Sequence, residues 1–433
     1  MLLGNAFQQF YHIVDSIIVG NFLGKEALAA VGASAPIIFT LISLIIGFSM
    51  GFTIIISQYF GAKDLNMVKR AIDTMNIFVF FSSILITCIG IYLTEPILKL
   101  INVPDDVFTQ AALYLKIYIA GLIFIFGYNS VAAILRGLGD SKTPLYFLII
   151  STVLNVILAL LFVIVFKWGI AGAAIATVIA QGFAFISSVF YLNNTHKLIR
   201  FSFRNLYFDK YIFKKSFFIG FPSGLQMTFV SLGMIALLSI VNTFGTNVIA
   251  AYSVAIRIDS FASLPAMTLA AALSSFVGQN MGAGKTERVK KGYLATLKMN
   301  LFITLMFTAI VFIFPGWLMK AFTPDTDVIN IGKEYLYVVS AFYIIFTTMF
   351  INMGVIRGAG DTIIPMFISL FSLWLVRIPL AWIMSKSFSY HGIWWAIPIA
   401  WLSGMILTYI YYRSGKWKNK SVVKIRTNEP IEI

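Results

Sequence analysis

Apolar residues gather in long blocks near residues 1 to 20, 33 to 58, 72 to 93, 111 to 134, 144 to 166 and 170 to 192. They gather again near 216 to 241, 250 to 280, 293 to 315, 333 to 355, 362 to 385 and 392 to 412. Each block approaches or exceeds the roughly 20 residues that an α-helix needs to cross a bilayer. The breaks between them carry Gly, Pro, Asp, Lys and Arg, which end helices and make turns. The pattern predicts an all-α polytopic membrane protein with twelve transmembrane helices.

The blocks repeat. Leu135-Arg136-Gly137-Leu138-Gly139-Asp140 recurs as Ile356-Arg357-Gly358-Ala359-Gly360-Asp361, a displacement of 221 residues. Gln58-Tyr59-Phe60-Gly61-Ala62 recurs at the same offset as Gln279-Asn280-Met281-Gly282-Ala283, and Asn21-Phe22-Leu23-Gly24 as Asn242-Thr243-Phe244-Gly245. A constant offset across separate markers implies two homologous halves. Six spans per half put them in the same orientation, as parallel repeats about an axis along the membrane normal. The expected domains are an N-terminal six-helix lobe (1–193), a basic linker (194–215), a C-terminal six-helix lobe (216–412) and a basic tail (413–433). Subtracting 221 from Lys210, Lys214 and Lys215, which precede the seventh span, places their counterparts before Met1. The first helix is therefore expected to begin part-way along its length.

Composition adds that 59% of residues are hydrophobic and 11% charged, too little polar surface for a soluble chain of 433 residues. The net charge of +15 would suggest nucleic acid in a soluble protein, but the basic residues are sorted by loop. Lys63, Lys69, Arg70, Arg136, Lys142, the linker, Lys285, Arg288, Lys290, Lys291, Arg357 and the tail fall on one side. Lys25, Lys99, Lys167, Lys320 and Lys386 fall on the other. By the positive-inside rule the linker and C-terminus are cytoplasmic, and no nucleic-acid partner is expected. One cysteine, Cys88, and three scattered histidines, His12, His196 and His391, argue against a metal centre.

Ionisable residues inside the spans are the candidates for function, because a charge at mid-bilayer costs roughly 2.5 to 3.5 kcal/mol even on insertion scales. Asp15 stands in the first span with Gln8, Tyr11 and His12 on the same helical face. Desolvation disfavours its charged form, which suits proton binding; pairing with His12 is the structural alternative. Arg257, Asp259 and Arg377 form a second group in the C-terminal half. They are read either as a shared ion pair or, for Asp259, as a part of coupling or gating. Asn129 and Gln181, with Gln226, Met227 and Tyr252 in the other half, are candidates to line a cavity. Gly137-Leu138-Gly139-Asp140 matches the GxGD pattern of intramembrane aspartyl proteases, but its repetition beside an Arg and before a Pro is explained by turn chemistry. No catalytic residues are assigned.

Several stretches together resemble the MATE (multidrug and toxic compound extrusion) family. They are Gln8 to Asp15 running into Val19-Gly20, Leu23-Gly24 with Ala27 to Gly32, and Gln58 to Lys63. Arg136 to Pro144, Gly169 to Thr177, Gln279 to Gly284 and Arg357 to Pro365 complete the match. The resemblance covers the chain in order and is nearest to the bacterial DNA-damage-inducible branch. It implies a monomeric inner-membrane transporter with two lobes about a central cavity. Such a transporter exports organic cations or amphiphiles by alternating access, in exchange for inward H+ or Na+, with no other cofactor. It also implies an N-lobe ion site at Asp15, Asn155 and Thr177. The acid that the pattern places on helix five falls on Ala159, leaving one carboxylate where two are expected. The acids of another branch fall on Ala236 and near Phe346. A single carboxylate favours H+ over Na+, which needs several oxygen ligands. The rival within the superfamily is a lipid-linked oligosaccharide flippase, which would want a basic cavity.

Overall fold

The computed structural model describes residues 17–101, 103–195 and 206–423. After helical residues at 17–23, the first half forms α1 (Lys25–Gly61), α2 (Leu65–Leu100), α3 (Asp105–Ala120), α4 (Leu122–Gly137), α5 (Lys142–Leu160) and α6 (Gly169–Thr195). α5 ends in a π-helical turn, Leu161–Val165. α7 (Lys210–Val241) leads into α8 (Thr246–Gly282), α9 (Thr286–Ile313), the short α10 (Pro315–Lys320), α11 (Thr326–Ser340) and α12 (Tyr343–Gly358). α13 (Ile363–Leu370), a π-helical segment (Phe371–Arg377) and α14 (Ile378–Phe388) together make one span, and α15 (Tyr390–Ser414) is the last.

The first residues of α1 to α6 recur, each displaced by 221, as the first residues of α8, α9, α11, α12, α13 and α15. This holds although the local start signals differ. Asp64 caps α2 by accepting from the Met67 amide at 3.0 Å, whereas Lys285 precedes α9 without a side-chain cap. Asp325 caps α11 through the Asp327 and Val328 amides, where Pro104 stands before α3. Packing therefore sets these boundaries, and caps only reinforce them.

Nine helices among the described residues are long and apolar enough to cross a membrane, and two bent pairs raise the number to eleven. The twelfth expected span, near 1 to 20, lies mostly outside the described residues. The expected spans 111 to 134 and 333 to 355 are not straight. α3 meets α4 at 47° and α11 meets α12 at 50°. At the first bend a Cβ on Gly121 would lie 2.3 Å from the Val178 side chain of α6, so the chain turns where two helices nearly touch. Pro36 and Pro265 lie inside the unbroken helices α1 and α8. Arg136 and Arg357, read as loop residues, belong to the last turns of α4 and α12.

The chain divides into two compact units at Phe221/Pro222, inside α7. Lys210, Lys214 and Lys215, read as linker, are already helical. Within the first unit α1 packs on α2, α3 and α4, and α6 on α4 and α5; within the second, α8 packs on α9, α11 and α12, and α15 on α12 and α14. Lipid is as apolar as Leu, so helices associate through close packing and hydrogen bonds. α8 and α12 approach at small residues four apart. A Cβ on Gly354 would meet the Ala270 carbonyl at 2.6 Å, and one on Gly358 the Ser274 carbonyl at 2.4 Å. In the first unit the equivalent positions are Thr53, Ala133 and Gly137, where the Thr53 hydroxyl adds a hydrogen bond to the Ala133 carbonyl at 3.2 Å. The GxGD stretches are turns in both units. Gly139 and Gly360 have φ of 93° and 103°, which favours glycine. Asp140 accepts from the Lys142 and Thr143 amides at 3.0 Å, and Asp361 from the Tyr411 hydroxyl at 2.6 Å.

Candidate functional site

In the first unit Asn155 of α5 and Thr177 of α6 are brought together. Asn155 is 1% exposed and Thr177 3%, and the Asn155 amide donates to Thr177 Oγ1 at 3.3 Å. The Thr177 hydroxyl reaches the Ala173 carbonyl. Asn155 Oδ1 is buried with no partner among the described residues, an arrangement that leaves a desolvated acceptor at a cost on the order of 1–3 kcal/mol. One turn on, Ala159 is fully buried with Ile18, Phe162 and Ala176. A methyl group among apolar side chains thus occupies the position where the family pattern has an acid. Asp15, Gln8 and Tyr11 lie outside the described residues. Asn129 bonds to the Ile125 carbonyl of its own helix, the behaviour of a packing residue, and Gln181 is half-buried on α6.

In the second unit the expected three-charge cluster is not an ion pair. No described ion pair within 4.0 Å includes Arg257, Asp259 or Arg377. Arg257 is exposed. The Asp259 carboxylate instead accepts from two phenols, Tyr335 at 2.5 Å and Tyr343. Arg377 is 7% exposed, with Nη1 against Met234 Sδ at 3.9 Å and Nε unpartnered. The reason is helical geometry: Arg257 and Asp259 are two residues apart and face different sides of α8. Tyr252 is 1% exposed and stacked on Trp394 with centroids 5.6 Å apart, so it belongs to the packed core and not to a cavity wall. Gln226 is buried, accepts from Arg357 Nη2 at 2.7 Å and donates to Ser369; Met227 beside it is half-buried.

Sequence reasoning missed a file of neutral polar side chains between α9 and α12. Tyr293 donates to Asn352 Oδ1 at 2.8 Å, and the Asn352 amide reaches Thr408 of α15 at 3.4 Å. The Asn300 amide donates to Thr347 Oγ1 at 2.9 Å, as does the Thr304 hydroxyl at 3.2 Å. Displaced by 221, Tyr293, Asn300, Thr347 and Asn352 correspond to Ile72, Val79, Phe126 and Val131. Comparing the halves position by position would have exposed it. No group of three or more His, Cys, Asp or Glu among the described residues could hold a metal.

A family model described as MatE matches residues 1–161 and 222–383, two segments in the register of the repeat. The chain is 35% identical over 420 residues to "Probable multidrug resistance protein YpnP" of Bacillus subtilis, covering 96% of this chain and 94% of that one. It is 33% identical to "Probable multidrug resistance protein YoeA" of the same organism, covering 98% and 94%. Among solved structures, MATE in the bent conformation superposes with a TM-score of 0.92 at 23% identity, over 98% of this chain and 95% of that one; at that identity the likeness speaks for the fold. With its apolar helices, its two-part repeat and these relatives, this multi-pass membrane protein belongs to the MatE family of multidrug efflux transporters.

Proposed function

We propose that the protein exports amphiphilic organic cations across the inner membrane by alternating access, driven by inward H+ through Asp15 with Asn155 and Thr177. The observation that carries the site is the buried Asn155 Oδ1 with no partner among the described residues. It sits beside Thr177 and one turn from the apolar contact of Ile18 with Ala159. Asp15 precedes Ile18 by three residues in the sequence. An amide and a hydroxyl can hold a protonated carboxyl group by neutral hydrogen bonds; Na+ asks for more oxygens than this set offers. The names of the relatives, probable multidrug resistance proteins, support the substrate class. The loop sorting of Lys and Arg supports a cytoplasmic linker and C-terminus. The flippase reading asks for a basic cavity, yet within the spans it finds only Arg257 and Arg377, both in the C-terminal half.

The test is uptake of a fluorescent monovalent organic cation into inside-out vesicles, with a pH gradient or a Na+ gradient imposed separately. Wild type is expected to respond to the pH gradient, and Asp15→Asn to abolish transport. Unchanged transport by Asp15→Asn, or a response to Na+ alone, overturns the coupling mechanism.

A further inference from the structure

Although the first unit keeps a tyrosine, Tyr114, at the position of Tyr335, it has no counterpart of the Asp259 carboxylate. The residue at minus 221 from Asp259 is Ile38, that from Tyr343 is Leu122 and that from Arg377 is Val156. The charged and titratable groups that face it are Tyr335 from α11, Tyr343 from α12, Arg377 from the π-helical segment and, on α8 itself, Tyr252. Two of them hold the carboxylate, one phenol on each oxygen. The other two are left short: Arg377 Nε and the Tyr252 hydroxyl are buried donors with no acceptor among the described residues. One carboxylate therefore stands between two sets of donors and satisfies one.

The preference between those sets depends on charge. An ionised carboxylate is drawn to a buried guanidinium, whose unpaired state is costly. A protonated one has nothing to gain there and fits the phenols, donating to one hydroxyl and accepting from the other. The backbone provides for movement as well. Arg377 ends a seven-residue π-helical segment, Phe371–Arg377, whereas the equivalent residues 150–156 are regular α-helix in α5. Such π segments are less tightly bonded and recur where helices do work.

We propose that Asp259 is a second proton-binding site of the transport cycle, lodged inside the C-terminal lobe. Its carboxyl group rests on Tyr335 and Tyr343 when protonated and turns to Arg377 and Tyr252 when ionised. The proton is taken up at a carboxylate oxygen and released from it, with no other bond changed. The proposal rests on the proton-driven reading above but uses different residues. Two protons exchanged for one monovalent cation make the cycle electrogenic, whereas one proton makes it neutral.

The test begins without substrate. Infrared difference spectra of the purified protein in lipid vesicles, stepped through pH, are expected to show the carbonyl stretch of a protonated carboxyl group that is lost as pH rises. That band is absent from Asp259→Asn and present in Asp15→Asn. Both Arg377→Gln and Tyr343→Phe keep the carboxyl group: the first removes the partner of its ionised form, so the band persists to higher pH, and the second removes a partner of its protonated form, so the band is lost at lower pH. A spectrum of Asp259→Asn matching wild type overturns the proposal. Should that variant not fold, an unmoved midpoint in both Tyr343→Phe and Arg377→Gln overturns it equally. In vesicles without a pH gradient, an imposed membrane potential is expected to drive cation transport by wild type and not by Asp259→Asn. Transport by Asp15→Asn, with the band kept in that variant and lost only in Asp259→Asn, refutes the first site and leaves the second standing.

Discussion

Gly51 is the position where a single added methyl group tests the packing most directly. An alanine Cβ there would lie 2.2 Å from the Ser216 carbonyl oxygen, 2.8 Å from the Gly220 amide nitrogen and 3.0 Å from Gly220 Cα. Gly220 makes the reciprocal approach, 2.8 Å to the Gly47 carbonyl. The atoms struck are backbone, so α1 and the first part of α7 must move apart as bodies; no side chain can rotate away. Overpacking of this kind costs about 1–3 kcal/mol, and its upper range applies because the obstruction is rigid. Gly→Ala within a helix returns at most about 1 kcal/mol in propensity, so the net loss for Gly51→Ala is about 1–2 kcal/mol. Gly32 in the same helix supplies the control, since a Cβ there meets nothing within 4 Å and Gly32→Ala keeps the propensity gain. The two variants should differ by about 2–3 kcal/mol, a separation of roughly 4–12 °C in Tm for a unit of this size. Thermal unfolding of purified protein in detergent, followed by size-exclusion recovery, measures it. A Gly51→Ala protein at or above the wild-type Tm would refute the backbone contact.

Three further substitutions follow from the structure. Thr347→Val removes the oxygen that Asn300 and Thr304 both use and leaves a buried amide without an acceptor. Unfolding in detergent should show a loss of about 1–2 kcal/mol, above the roughly 0.6 kcal/mol average for one bond in a membrane bundle. Lys63 is exposed with φ of 60°, where its repeat counterpart Gly284 has φ of 71°. Relief of left-handed strain, about 1–2 kcal/mol, outweighs the roughly 0.5–1 kcal/mol entropic cost of glycine. Lys63→Gly is therefore expected to raise Tm, and Gly284→Lys to lower it.

The repeat was legible because turns carry it: Gly139-Asp140 and Gly360-Asp361 need the same backbone and so keep the same residues. Helix starts followed to the residue, Leu122 matching Tyr343 and Gly169 matching Tyr390. The bends before Leu122 and Tyr343 were not legible, since Gly121 reads as an ordinary glycine in an apolar run until Val178 of another helix is set beside it. The Asn155–Thr177 pair followed from the resemblance alone. Tyr335 and Tyr343 were missed because a tyrosine in an apolar block looks like an interfacial anchor, and only the fold shows a carboxylate within reach. Arg257, Asp259 and Arg377 were grouped because all three are charges inside the predicted spans, and helical pitch turns Arg257 away from Asp259.

α7 enters with the first unit and leaves with the second, the division falling at Phe221/Pro222 within one unbroken helix. A cut in the polar stretch around residues 196–205 would therefore not yield two self-sufficient halves. The leading fragment would lack the strip at Ser216 and Gly220 that fills the groove along Gly47 and Gly51, and the trailing fragment would carry that strip as an unsatisfied ridge. Such pieces are complementary in the manner of a split reporter. The helix that opens the second copy of the repeat thus completes the packing of the first unit, which is not a finished object without it.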